Sequence, residues 1–194
     1  MTGVKFRLHR LAAAAALALA LSGCAAQVGA PQASIASIEA VRRIDIPPLK
    51  LGDFKPGGTL KPADDKSITI RAINVISAPG GSIAGYLKAT LEADLRAAGR
   101  LDGNSAYVLN GVLTRSDLSS AVGTGNAAIG ATFTLLKDGK SLYEKNLSVD
   151  ATWDSSFLGA IAIPDAINNY TGLYEKLSMT VLNDPDFKAA FAKP

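Results

Sequence analysis

Residues 127–153 read AAIGATFTLLKDGKSLYEKNLSVDATW, and this stretch decides the fold. From Ala127 to Leu136 the residues Ile129, Ala131, Phe133 and Leu135 alternate with small or polar partners, the period of a strand with one face buried. From Ser141 to Trp153 the alternation resumes as Tyr143, Lys145, Leu147, Val149, Ala151 and Trp153 against Glu144, Asn146, Ser148, Asp150, Thr152 and Asp154. Between them stands Lys137-Asp138-Gly139-Lys140, where Asp-Gly supplies the positive φ angles of a type I′ turn. The stretch is predicted to be an antiparallel hairpin with one wet face.

Working outward, Ala106 to Thr114 reads as a further strand through Tyr107, Leu109 and Leu113. Before it, Ile83, Leu87, Leu91 and Leu95 repeat every four residues from Ile83 to Ala98, which is the stripe of an amphipathic helix. Ser82 is its N-cap and Gly99 its stop. Lys88, Glu92 and Arg96 share another face and are expected to form two opposite-charge pairs. Asp45 to Phe54 reads as an extended edge strand beginning after Pro47-Pro48. Ser67 to Ile76 alternates at Ile68 and Ile70, then shifts phase at Ile73 and Val75, and a bulge or bend within one strand is predicted.

After the hairpin, Phe157-Leu-Gly-Ala-Ile-Ala-Ile163 is apolar and ends at Pro164, which suits the first turn of a helix. That helix carries Ala166, Ile167, Tyr170, Leu173, Leu177 and Val181 on one side and stops at Asn183-Asp184-Pro185. Phe187 and Phe191 would pack a last short turn onto the domain. The expected class is α+β: a mainly antiparallel sheet with two main helices on one face.

The N-terminus sets the biological setting. Lys5, Arg7 and Arg10 precede an Ala/Leu run from Leu11 to Leu21, too short for a stable membrane span. Leu21-Ser22-Gly23-Cys24 follows, and this resembles the lipobox of bacterial lipoproteins. The resemblance implies a cleaved lipoprotein signal peptide over 1–23, a fatty-acylated (palmitate-bearing) Cys24 opening a tether over 24–44, and a single domain over 45–194. Residues 25–43, rich in Ala, Ser and Gln, suit a tether, with a short helix through Ile35, Ile38 and Val41 as the alternative. By resemblance to enterobacterial sorting, Ala25-Ala26 in place of an Asp implies the outer membrane, facing the periplasm, with the inner membrane as the alternative.

Cutting before Cys24 changes what the composition implies. Residues 1–23 hold three of the 20 Lys and Arg and none of the 17 Asp and Glu, so 17 of each sign remain. A nucleic-acid partner is not expected from a neutral chain. The only histidine, His9, also leaves, and the only cysteine is the lipidated one. Histidine-based triads and the common zinc sites leave with them.

The remaining candidates for chemistry are weak. Gly123-Thr124-Gly125 with Gly130 suggests a phosphate loop, but no Lys-Ser/Thr follows and the segment enters a strand; a flexible hairpin connection is expected. Asp64-Asp65 and Asp184 with Asp186 lack the oxygen spacing of a calcium loop and read as loop surface and helix stop. Asp150 and Asp154 lie on the wet strand face. No metal or cofactor is expected.

The lipobox, the strand–helix–strand order, and the segments Leu49-Lys-Leu-Gly-Asp-Phe54, Leu91 to Gly99, Tyr107-Val-Leu-Asn-Gly111 and Lys137 to Lys140 together resemble small periplasmic lipoproteins. These include the lipopolysaccharide-assembly, YajG-type and ABC-transporter auxiliary lipoproteins. The resemblance implies a non-enzymatic adaptor or accessory in envelope transport or assembly, bound to membrane lipid through Cys24 and to an envelope protein partner. A carrier of lipid or another small hydrophobe is the alternative, and a carboxylate-based hydrolase a more distant one. Phe157, Leu158, Ile161 and Ile163 are the candidate contact residues, read either as a buried linker or as an exposed patch.

Overall fold

The computed structural model describes residues 28–58, 60–71 and 74–192. The signal peptide and Cys24 lie outside the described residues. The elements in chain order are α1 (Ile35–Arg43), β1 (Lys50–Pro56), β2 (Ser67–Ile70), β3 (Asn74–Ser77), α2 (Ile83–Ala97), β4 (Tyr107–Ser120), β5 (Gly123–Lys137), β6 (Lys140–Ser155), α3 (Gly159–Asn183) and α4 (Pro185–Ala190).

Four strands form the main sheet in the order β1-β4-β5-β6. The β4–β5 and β5–β6 pairs are antiparallel, and only the edge strand β1 runs parallel to its neighbour β4. The fold is α+β, as the sequence predicts. The β5–β6 hairpin turns at Asp138 (φ 49°) and Gly139 (φ 81°), the positive angles a type I′ turn requires. Along β6 the inward side chains from Tyr143 to Trp153 are buried or half-buried, while the alternate ones are exposed.

One face of the sheet meets the helices. Leu109, Leu113, Ile129, Phe133 and Leu135 pack with Leu87, Leu91 and Leu95 of α2 and Tyr174, Leu177 and Val181 of α3, all essentially inaccessible to water. The other face is polar: the Asn146 amide donates to Thr114 Oγ1 and Thr132 Oγ1, both at 3.0 Å. The α2 stripe is buried as predicted, Ser82 Oγ accepts from the Gly85 N–H at 2.9 Å, and Gly99 follows at φ 72°. Of the two expected surface pairs on α2, Arg96–Glu92 forms.

Three segments differ from the sequence reading. Residues 67–77 are not one bent strand but a hairpin, β2 paired antiparallel with β3 from Ser67↔Ser77 to Ile70↔Asn74. The shift of apolar phase marks a reversal of the chain, made at Arg71 with φ 53°. Strands β4 and β5 pair as far as Ser120↔Gly125, so Gly123 and Thr124 lie in the connection between them, as expected. They are held extended by pairing with Ser155 and Asp154 of β6 rather than left as a free loop. Weak local propensity there is overridden by the β6 neighbour, joined at Gly125 by β4.

Helix α3 starts at Gly159, not Pro164, and the proline sits inside it. Pro164 and Ala160 are both exposed, so the carbonyl that loses its N–H partner to the proline ring stays within reach of water. The stretch expected to be a tether takes the helical alternative from Ile35 to Arg43. Ser34 Oγ caps α1 through the Ser37 N–H at 3.0 Å, and Val41, Ile44 and Ile46 enter the core.

Candidate functional site

The end of the sheet opposite the Asp138-Gly139 turn gathers the β4–β5 turn, the end of β6 and the start of α3. Gly123 pairs with Ser155, which holds the turn at Ala121-Val122 beside the segment entering α3. Arg71, at the β2–β3 reversal, clamps these pieces together. Its guanidinium donates to the carbonyls of Ser120 (3.0 Å), Phe157 (2.9 Å) and Ser156.

Around that clamp the surface is apolar. Phe157 is 72% exposed, Val122 68%, Ile161 50% and Leu158 49%. Of the four residues singled out in the sequence, three are thus brought together on the surface. Ile163 is turned inward, half-buried against Ile70, Ile76 and Ala166. Helical phase separates Ile161 from Ile163, with Ala162 and Ala166 facing the core and Ile161 pointing away, while Phe157 and Leu158 stand exposed on the segment that leads into α3. Val122 was not flagged in the sequence, though a β-branched apolar residue in the short connection closed by Ser120↔Gly125 has no local reason to be there.

The carboxylates are committed to structure. Asp65 accepts from Ser82 Oγ at 2.6 Å and the Ala84 N–H at 2.8 Å, fixing the start of α2. Asp184 caps α4 through the N–H groups of Asp186 and Phe187 at 2.9 and 3.1 Å. The Lys145 ammonium binds both Asp184 (2.7 Å) and Asp186 (2.8 Å), filling the place a calcium ion would need. Burial pulls the Asp184 carboxyl upward, but the hydrogen bond from Lys145 and the backbone N–H groups outweigh it, leaving it below its ordinary value. Tyr143 nearby is pushed up to about 12, by burial first and then by the charge of Asp184. Asp150 and Asp154 are exposed on the polar sheet face, as expected.

Asp94 is the most buried carboxylate, 1% exposed at the junction of three helices. It accepts from Ser37 Oγ of α1 at 2.8 Å and Ser178 Oγ of α3 at 2.9 Å. Burial raises its pKa, the two hydroxyls lower it less, and the charge of Glu175 adds to the rise. A second polar chain runs from Ser116 through the hydroxyls of Tyr170 (2.6 Å) and Tyr174 (2.7 Å). Burial drives the Tyr174 phenol well above its usual range.

Clefts are open and shallow. One of about 350 Å³ lies between β2 and β4, bordered by Asp64, Thr69, Asp117 and Asn126. Its two acids are already engaged, Asp117 by Arg115 and Asp64 by the Lys61 N–H. Between sheet and helices the space is filled by Phe133, Tyr170, Tyr174 and Phe187, where a carrier would need a cavity. Among the described residues no group of three or more acids, His or Cys could hold a metal, and no helix is long and apolar enough to cross a membrane.

No family model matches the chain, and no curated protein matches it. Solved structures are similar to it, among them the following two. A DUF330-family protein from Xanthomonas campestris shares 18% identity at a TM-score of 0.49, covering 70% of this chain and 83% of that one. A minor lipoprotein from Acinetobacter baumannii shares 17% identity at a TM-score of 0.43, covering 72% of this chain and 90% of that one.

Proposed function

We propose that this chain is a lipoprotein of the bacterial envelope, held to a membrane through acylated Cys24, that acts by contact as an adaptor or accessory in envelope transport or assembly. The observation that supports contact over catalysis is the exposed apolar end formed by Val122, Phe157, Leu158 and Ile161. Large side chains left in water together mark a surface built to be covered, by a partner or by lipid. The buried acidic groups, Asp65, Asp94 and Asp184, are spent on caps, an ion pair and a helix junction. Two acyl chains or more give stable anchoring where one gives only marginal binding. Ala25-Ala26 favours the outer membrane and its periplasmic side.

Metabolic labelling with palmitate tests the anchor: the chain should take up label, and Cys24→Ala should lose it and move to the soluble fraction. A photocrosslinking residue at Leu158 tests the contact in vivo. Adducts are expected there, and a probe that captures nothing while Cys24 is acylated counts against the contact reading.

A further inference from the structure

The described N-terminal segment follows α3 from its last third back to its first turns. Ser37 and Ser178 meet on the Asp94 carboxylate. Ser34 Oγ donates to Glu175 Oε1 at 2.7 Å. Pro31 and Gln32 border the same cleft as Asn168 and Gly172. Val28 packs, with Ile163 and Ile167, against Ile70, Ile76 and Ala166. Each step toward the N-terminus is therefore a step toward the start of α3.

Cys24 lies only four residues before Val28, so the backbone between them spans at most about 14 Å. Ala166 lies five helical residues from Ile161, a rise of about 7.5 Å. A bilayer holding the acyl group of Cys24 is therefore within reach of Phe157, Leu158, Ile161 and Val122, with no long leash to separate them. The opposite end of the sheet, at Lys137 to Lys140, stands some 15 residues along the strands, about 50 Å away.

We infer that this apolar end is a membrane-docking face, seated in the headgroup–acyl boundary of the phospholipid leaflet that holds Cys24. The inference rests on the anchoring reading above and adds to it an orientation and an occupant. Four apolar side chains make a weak site for free protein, but the anchor makes docking intramolecular and raises the effective lipid concentration. Arg71 prepares the end for that environment by satisfying the Ser120, Ser156 and Phe157 carbonyls from within the protein. The docked chain is fixed upright, with the Asp138-Gly139 turn farthest from the bilayer.

The acylated chain has no free thiol, so one introduced cysteine labels cleanly. Acylated Leu158→Cys and, separately, Lys140→Cys would each carry an environment-sensitive fluorophore in phosphatidylethanolamine–phosphatidylglycerol vesicles. The Leu158 probe should shift to the blue and be quenched several-fold more than the Lys140 probe by lipids bearing shallow nitroxides. Two outcomes in vesicle-bound protein overturn docking: both probes equally wet, or a shielded Leu158 probe that nitroxide lipids do not quench, which would mean a protein covers this end. Protein that fails to float with the vesicles and labels at Cys24 overturns the anchor itself, and the orientation with it.

Discussion

The indole of Trp153 lies directly over Gly125 on the neighbouring strand, so close that a Cβ at residue 125 would fall 2.3 Å from its Cε2. No shift of a flexible tip relieves that contact, because the ring itself is the obstacle. Gly125→Ala should cost about 1–3 kcal/mol by overpacking. Trp153 is the only tryptophan in the chain, so its fluorescence reports both the displaced ring and the urea midpoint. An unchanged midpoint would show that the indole is free to move.

Asp94 should make stability fall as pH rises above the ordinary carboxylate range. The folded chain holds this proton to higher pH than the unfolded chain, whose carboxyl titrates near 3.8. Its contribution is full below that value and is lost as pH climbs through the raised folded value. Asp94→Asn keeps partners for both serines and should remove this dependence, visible as a wild-type-minus-variant difference that changes with pH in urea titrations. A flat difference would sink the assignment. Asp94→Ala takes this acceptor from the buried Ser178 hydroxyl, while Ser37 keeps the Ser34 carbonyl, and should cost about 1–3 kcal/mol.

Asp184 works with the opposite sign. Its folded carboxyl lies below its ordinary value, so its stabilisation is present above the unfolded value near 3.8 and is lost as pH falls through the lowered one. Asp184→Ala should cost about 1–2 kcal/mol at neutral pH through the lost cap. The same variant should show a shallower loss of stability in acid, measurable by thermal unfolding between neutral pH and pH 3.

Arg71→Met should loosen the apolar end while the hairpins stay folded. The guanidinium's three carbonyl contacts are charge-assisted, and losing them should lower local protection by about 2 kcal/mol. Hydrogen exchange of the N–H groups from Ser156 to Ile161 is the readout. Equal protection in both proteins would mean that the clamp is not what orders this segment.

The β5–β6 hairpin and α2 were legible because their signals are local and repeated. Asp138-Gly139 fixes a turn by its φ angles, and four apolar residues at spacing four leave a helix one way to bury them. The α3 start was misplaced because proline at a first turn is the commoner arrangement, and nothing in the sequence says that Ala160 and Pro164 face water. The β2–β3 reversal was hidden in a phase shift that a bulge would also produce. Of the contact residues, Phe157, Leu158 and Ile161 could be named from composition, whereas the choice between buried linker and exposed patch could not. That choice depends on which side of α3 the sheet covers.

By itself the sequence determined the α+β class, the central hairpin, the α2 stripe and the candidate lipidation point at Cys24. These follow from periodicity, turn stereochemistry and a short motif, all carried by neighbouring residues. Only the tertiary structure decided that Arg71 joins three loops, that Gly125 is reserved for Trp153, that Asp94 binds three helices and that Val28 leads back toward Phe157. Each of these joins residues tens of positions apart, and such pairings are set by how the helices pack on the sheet rather than by any local preference.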